Sequence, residues 1–152
     1  MKMNKIIPVL MMAIGLSSLT ACVTTKHQEN INLIDLASDG YYKINEALSE
    51  DSVKMIEKNF PPAHTKFFNR IPNEQLQTDV YGASLVKSLR KKGYAVSAVA
   101  DDEYKYLRYT VSQPNADTYQ VVLNIGSEQF CRSYVKHKGN TVVPLSSWTV
   151  RR

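Results

Sequence analysis

The sequence holds 152 residues, with 19 Lys+Arg against 14 Asp+Glu and a formal net charge of +5. That length suits one domain with a single core of ordinary size. Lys2 and Lys5 lie in a segment expected to be removed. The charge that remains is too small for the concentrated basic face that nucleic-acid binding needs.

The chain opens Met1-Lys2-Met3-Asn4-Lys5, basic and without an acid, and runs on through an apolar stretch from Ile6 to Leu19. Basic, then apolar, then small residues is the order of a secretory signal peptide. The stretch falls short of the roughly 20 apolar residues that span a bilayer, so a leader over residues 1–21, cleaved on export, is expected. Leu19-Thr20-Ala21-Cys22 resembles the lipobox of bacterial lipoproteins. That resemblance implies a diacylglycerol joined to the Cys22 sulfur, cleavage before it, and acylation of the new amino terminus. One acyl chain anchors a protein only marginally, whereas several chains hold it stably at about 0.8 kcal/mol per buried CH₂. Val23 stands where an aspartate would resemble the signal for retention at the inner membrane. The similarity therefore points to the outer membrane of a bacterial envelope, facing the periplasm. A secreted protein with a chance cysteine is the plainer alternative.

Residues 22–40 read as the lipidated terminus and a tether. Within it Ile31-Asn32-Leu33-Ile34-Asp35-Leu36 is an apolar island that either folds back onto its own domain or docks onto another protein. Ile31, Leu33, Ile34 and Leu36 are accordingly the candidate partner-binding residues. Residues 41–152 form the single globular domain. From Tyr42 to Phe60 the residues Ile44, Ala47, Leu48, Met55 and Ile56 approximate a helical stripe, and Ser49 or Asp51 could cap a second start near its middle. Pro61-Pro62 stops it. A strand is expected over Thr65–Ile71, ended by Pro72. Thr78 to Gly93 is a second helix. Thr78 is its cap and Asp79 suits its positive end, Tyr81, Leu85 and Leu89 recur every four residues, and Gly93 terminates it.

After Gly93 the period becomes two. Strands are expected over Tyr94–Ala100, Tyr106–Ser112, Tyr119–Ile125, Gln129–Val135 and Thr141–Val150, separated by short polar turns. Short connections imply an antiparallel meander. The expected fold is α+β: a two-layer domain with two helices packed on a mainly antiparallel sheet of about five to six strands.

Chemistry is sparse. His27, His64 and His137 lack the spacing of a zinc site, so no metal is expected. Asp101-Asp102-Glu103 lacks the alternation and the glycine of a calcium loop and reads as a solvated turn. No nucleophile elbow or phosphate loop is present, so no catalytic residue and no cofactor beyond the lipid are expected. Lys87, Arg90, Lys91 and Lys92 fall at a helix carboxyl end, where cations are expected anyway. Most of the nine tyrosines occupy strand or helix positions, where aromatic rings serve packing. If Cys22 carries lipid, Cys131 has no partner in its own chain. It is read as a small buried hydrophobe, with an intermolecular disulfide to another periplasmic subunit as the sharper alternative.

The fragments "YGASLVKSLRKKGYAV", "LRYTVSQ" and "YQVVLNIG", the step Arg132-Ser133-Tyr134, and "VPLSSWTV" together resemble the TrbH family of conjugal-transfer lipoproteins. The likeness covers the lipobox and about Pro61 to Val150. It implies a structural component of the mating-pair-formation channel of a plasmid-borne type IV secretion system, needed for DNA transfer. The implied partners are the membrane, through the lipid, and other channel subunits; neither nucleic acid nor a small-molecule substrate is among them. Only the lipidated cysteine carries over, onto Cys22. A ligand-binding lipoprotein that captures glycan or peptide on its tyrosine-rich sheet, or an envelope chaperone absent from the finished channel, is the alternative.

Overall fold

The computed structural model describes residues 29–71 and 77–152. In chain order the elements are β1 (Ile31–Asn32), α1 (Tyr41–Asn59), β2 (Lys66–Phe68), α2 (Val80–Lys91), β3 (Ala95–Ser97), β4 (Lys105–Asn115), β5 (Thr118–Ile125), β6 (Glu128–His137), β7 (Thr141–Pro144) and β8 (Thr149–Arg151). Single 3₁₀ turns over Pro62–His64 and Lys138–Asn140 complete them. Two helices on a mixed, mostly antiparallel sheet make this an α+β fold.

Period-two patterning explains the sheet's centre. In β5 Tyr119, Val121, Leu123 and Ile125 are buried while Thr118, Gln120, Val122 and Asn124 are half-buried. β4 and β6 flank it antiparallel, in registers that pair Tyr109 with Leu123 and Leu123 with Phe130. The β5–β6 turn is Gly126-Ser127, where Gly126 has φ 59°, the positive value that a two-residue hairpin demands. The helices cover the face carrying Tyr109, Leu123 and Phe130.

The sheet has eight strands among the described residues, more than expected, and its order is β3-β2-β4-β5-β6-β7. β3 therefore does not continue the meander. β2 lies between β3 and β4, parallel to both, and α2 makes the crossover that a parallel β2–β3 pair requires. The single strand expected over Thr141–Val150 is two. β7 and β8 both pair with β6, through Tyr134↔Pro144 and Cys131↔Thr149. Opposite Arg132 and Ser133, the chain from Leu145 to Trp148 holds extra residues that cannot stay in register, so it bulges out.

α1 runs unbroken, with no second start at Ser49 or Asp51. The Ser49 hydroxyl instead donates to the Glu46 carbonyl (2.8 Å), and Asp51 is engaged by β6. α2 buries Tyr81, Gly82, Leu85 and Leu89, the face its spacing predicts. Burying each of the two leucines contributes about 1.5–3 kcal/mol. Its cap is Asp79 rather than Thr78: the Asp79 carboxylate accepts from the Gly82 amide at 3.0 Å. The helices run in the same direction. Ser52 meets the Tyr81 hydroxyl (2.8 Å), and near the carboxyl ends Glu57 pairs with Lys92 (3.0 Å) and the Tyr94 hydroxyl donates to the Phe60 carbonyl (2.6 Å).

Candidate functional site

The segment expected to be a tether lies on the sheet from Asn30 onward. β1 pairs parallel with β4, Ile31 opposite Thr110, and the Leu33 amide donates to the Val111 carbonyl at 2.8 Å. β2 pairs parallel with the same strand at Lys105 and Tyr106. β1 and β2 thus sit end to end along β4, leaving Leu107 to Tyr109 with no neighbouring strand backbone on that side. Two asparagines fill the gap. Asn69 Nδ2 donates to the Leu107 carbonyl (2.9 Å), and the Tyr109 amide donates to Asn30 Oδ1 (3.1 Å). Asn30 Nδ2 donates to Asn69 Oδ1 (3.2 Å) and to the Arg70 carbonyl (2.8 Å), joining the two amides. Buried backbone groups must be paired, and here side chains do what a strand would otherwise do.

One residue pair further, Asn32 Nδ2 reaches Asn45 Oδ1 (2.9 Å) and Asp79 Oδ1 (3.1 Å), tying the segment to both helices. The Tyr109 hydroxyl donates to Asp79 Oδ2 and the Tyr41 hydroxyl to the Thr78 carbonyl. Burial, the Asp79 charge and the hydrogen bond to it together push the Tyr109 phenol far above its ordinary pKa. Gly82 is what permits this contact: a Cβ there would lie 1.9 Å from the Tyr109 hydroxyl and 2.7 Å from Asp79 Oδ2. A cleft lined by Asn32, Ile34, Leu36, Tyr41 and Asp79 opens beside the network.

A second cluster fixes the carboxyl-terminal bulge. Asp51 of α1 accepts from Arg132 Nη1 (2.8 Å) and from the Tyr134 hydroxyl (2.7 Å). Arg132 Nε also donates to the Ser146 carbonyl (2.7 Å), and its guanidinium lies 5.9 Å from the centre of the Trp148 ring. Burial, then the Asp51 bond, raises the Tyr134 pKa. Arg132 therefore ties helix, sheet and bulge together, a task suited to its planar fork of donors.

Of the four candidate partner-binding residues, Leu33 and Leu36 are exposed at 62% and 54%, while Ile34, at 4%, belongs to the chain's own core and Ile31 is half-buried. Cys22, the leader, His27 and Pro72 lie outside the described residues. Cys131, expected to be buried, is a half-buried free thiol in β6, and burial raises its pKa against the smaller opposing effect of a hydrogen bond with Gln120. His64 and His137 are exposed and far apart in the chain. Asp101 accepts from the Glu103 amide in a turn, and Glu103 pairs with Lys66 (2.5 Å). Among the described residues no group of three or more His, Cys, Asp or Glu could hold a metal ion, and no helix is long and apolar enough to cross a membrane.

Asn30 and Asn69 were not singled out by sequence; Asp51 was read only as a possible helix cap, and Arg132 only as part of the fragments that resemble the family. The only signal for the asparagines is their presence beside apolar strand segments, where such residues are depleted.

The fragments that suggested a family fall on these working parts. "YGASLVKSLRKKGYAV" is α2 with its turn into β3, "LRYTVSQ" is in β4, "YQVVLNIG" is β5, and "VPLSSWTV" is the bulge that Arg132 holds. A family model, "Conjugal transfer protein TrbH", matches residues 34–152, most of the chain. The chain belongs to the TrbH family. Membership implies a role in conjugative transfer and association with the transfer machinery. The TrbH match takes in α1, which lies outside the quoted fragments, and begins beyond Cys22. Comparisons with curated proteins and with solved structures gave no match.

Proposed function

We propose that this chain is an outer-membrane lipoprotein, anchored through Cys22 and facing the periplasm, and a structural component of a conjugative type IV secretion channel. The observation that carries the reading is Leu19-Thr20-Ala21-Cys22, directly after an apolar leader, in a chain of the TrbH family. Residues 23–29 span at most about 25 Å, so lipid on Cys22 keeps the domain close to the membrane surface. A pull on that anchor would reach the sheet and both helices through Asn30 and Asn32.

Leu33 and Leu36 are the contact residues in this reading, since they stay wet beside a segment whose other apolar residues, Ile31 and Ile34, hold it in place. The test has two arms. Radiolabelled palmitate is expected to enter the wild-type chain and not Cys22→Ser. Leu33→Ser with Leu36→Ser is expected to leave a folded, labelled protein that no longer co-purifies with the other channel subunits. Equal labelling of Cys22→Ser refutes the anchor, and undiminished co-purification refutes the docking role. Ile34 is left intact because serine there would cost core packing and blur the second arm.

A further inference from the structure

The outward stripe of α1 has its charges in blocks. Glu46, Glu50, Lys54 and Lys58 follow one another at intervals of four, all four side chains are exposed, and none makes an ion pair among the described residues. Within one helix this order is mixed. Glu46 faces Glu50 and Lys54 faces Lys58, like charges four apart that destabilise a helix. Glu50 to Lys54 has the favourable sign and order, and Lys43 and Glu57 stand three residues from Glu46 and Lys54. The helix dipole accounts for Lys58, in the last turn, but its influence does not extend to Glu50 and Lys54 in the middle.

The same order is self-complementary when reversed. About a point level with Ser52, an antiparallel copy sets Glu46 opposite Lys58 and Glu50 opposite Lys54, each pair occurring twice. A row of residues four apart is also a packing ridge, and two such ridges cross at about 50°, the commonest angle between packed helices. Lys87 and Lys91 of α2 are exposed on the helix beside α1, and because the helices run in the same direction they strengthen the basic half. A uniform polyanion or an anionic membrane laid along α1 would meet Glu46 and Glu50 unfavourably.

We propose that the outer face of α1 is a contact between two copies of this chain, related by a two-fold axis that passes between Glu50 and Lys54, level with the buried Ser52, and held by reciprocal Glu46–Lys58 and Glu50–Lys54 pairs. The contact is polar, so it is salt-sensitive. It does not depend on the anchoring or on the Leu33 and Leu36 contact.

The test uses two differently tagged full-length copies, produced without other conjugation genes and co-purified at low salt. Wild type is expected to capture wild type. K54E/K58E makes the stripe all acidic and E46K/E50K makes it all basic. Each is expected to capture itself at least about tenfold less, a loss of about 1.4 kcal/mol. The acidic form is expected to capture the basic form at the wild-type level or above. A wild type that does not capture itself, or mixed variants that fail to recover, overturns the proposal. So does a loss confined to the lysine variant, which would instead assign the lysines to an acidic partner of another kind. Unchanged thermal unfolding of the variants separates a lost contact from a lost fold.

Discussion

At the scale of single residues, Gly82 shows how one missing side chain positions a network. It sits in the first turn of α2, where its amide donates to the Asp79 carboxylate and its bare Cα leaves room for the Tyr109 hydroxyl on the same carboxylate. Gly82→Ala would drive a methyl group into that bond. The expected cost is about 3 kcal/mol, the upper end of the overpacking range, because the clash also displaces a buried hydrogen bond. Urea unfolding followed by the fluorescence of Trp148, the one tryptophan, measures it. Ala83→Ser, one position on and exposed, should stay within about 0.5 kcal/mol of wild type. In sequence Gly82 reads only as a weak helix residue, since nothing local shows that Tyr109 approaches it from a strand 27 positions away.

Among elements, β1 and β2 are too short to be stable alone, and their hold on β4 depends on the Asn30–Asn69 clamp. Removing either amide leaves buried backbone groups of Leu107 or Tyr109 unpaired, at about 1–3 kcal/mol. Asn30→Ala should speed hydrogen exchange at the Tyr109 amide, which loses its acceptor, while amides of the β5–β6 ladder keep their protection. The double variant with Asn69→Ala should cost less than the two separate effects combined, because the residues share one network. The helices show the same dependence on partners. α2 was legible because its buried face is apolar at regular spacing. α1 was legible in extent but not in continuity, because it buries Asn45, Ser49 and Ser52 alongside its apolar residues. Those polar groups are satisfied by its own carbonyls, by Asn32 and by Tyr81.

For the whole molecule, the tyrosine-rich core sets the response to alkali. Burial raises the pKa of Tyr81, Tyr109 and Tyr134 above the ordinary value near 10. The unfolded chain ionises these phenols at about pH 10 while the native protein keeps their protons, so above that pH the native state binds more protons than the unfolded one. Stability is therefore full below pH 10 and falls as pH rises beyond it, by about 1.4 kcal/mol per unit for each such tyrosine. Urea midpoints between pH 8 and pH 11 should be flat and then fall. Tyr81→Phe should make the fall shallower, because it removes one titrating group and keeps the ring. The proposed pairing of α1 faces is likewise a property of the assembled surface.

Periodicity, turn residues and the basic-apolar-small order at the amino terminus are local facts. Periodicity and turn residues sufficed for the α+β class, for the buried face of α2 and for strands at β4, β5 and β6, and the quoted fragments carried the resemblance to the TrbH family that the match over residues 34–152 bears out. Packing decided the rest: β2 between β3 and β4, the split of the last strand around Leu145–Trp148, the Asn30–Asn69 clamp and the Asp51–Arg132 tie. Side-chain period depends on neighbours in the chain, which a sequence displays. Which strand edge an asparagine completes, or which carboxylate an arginine finds, depends on groups brought together only when the core closes.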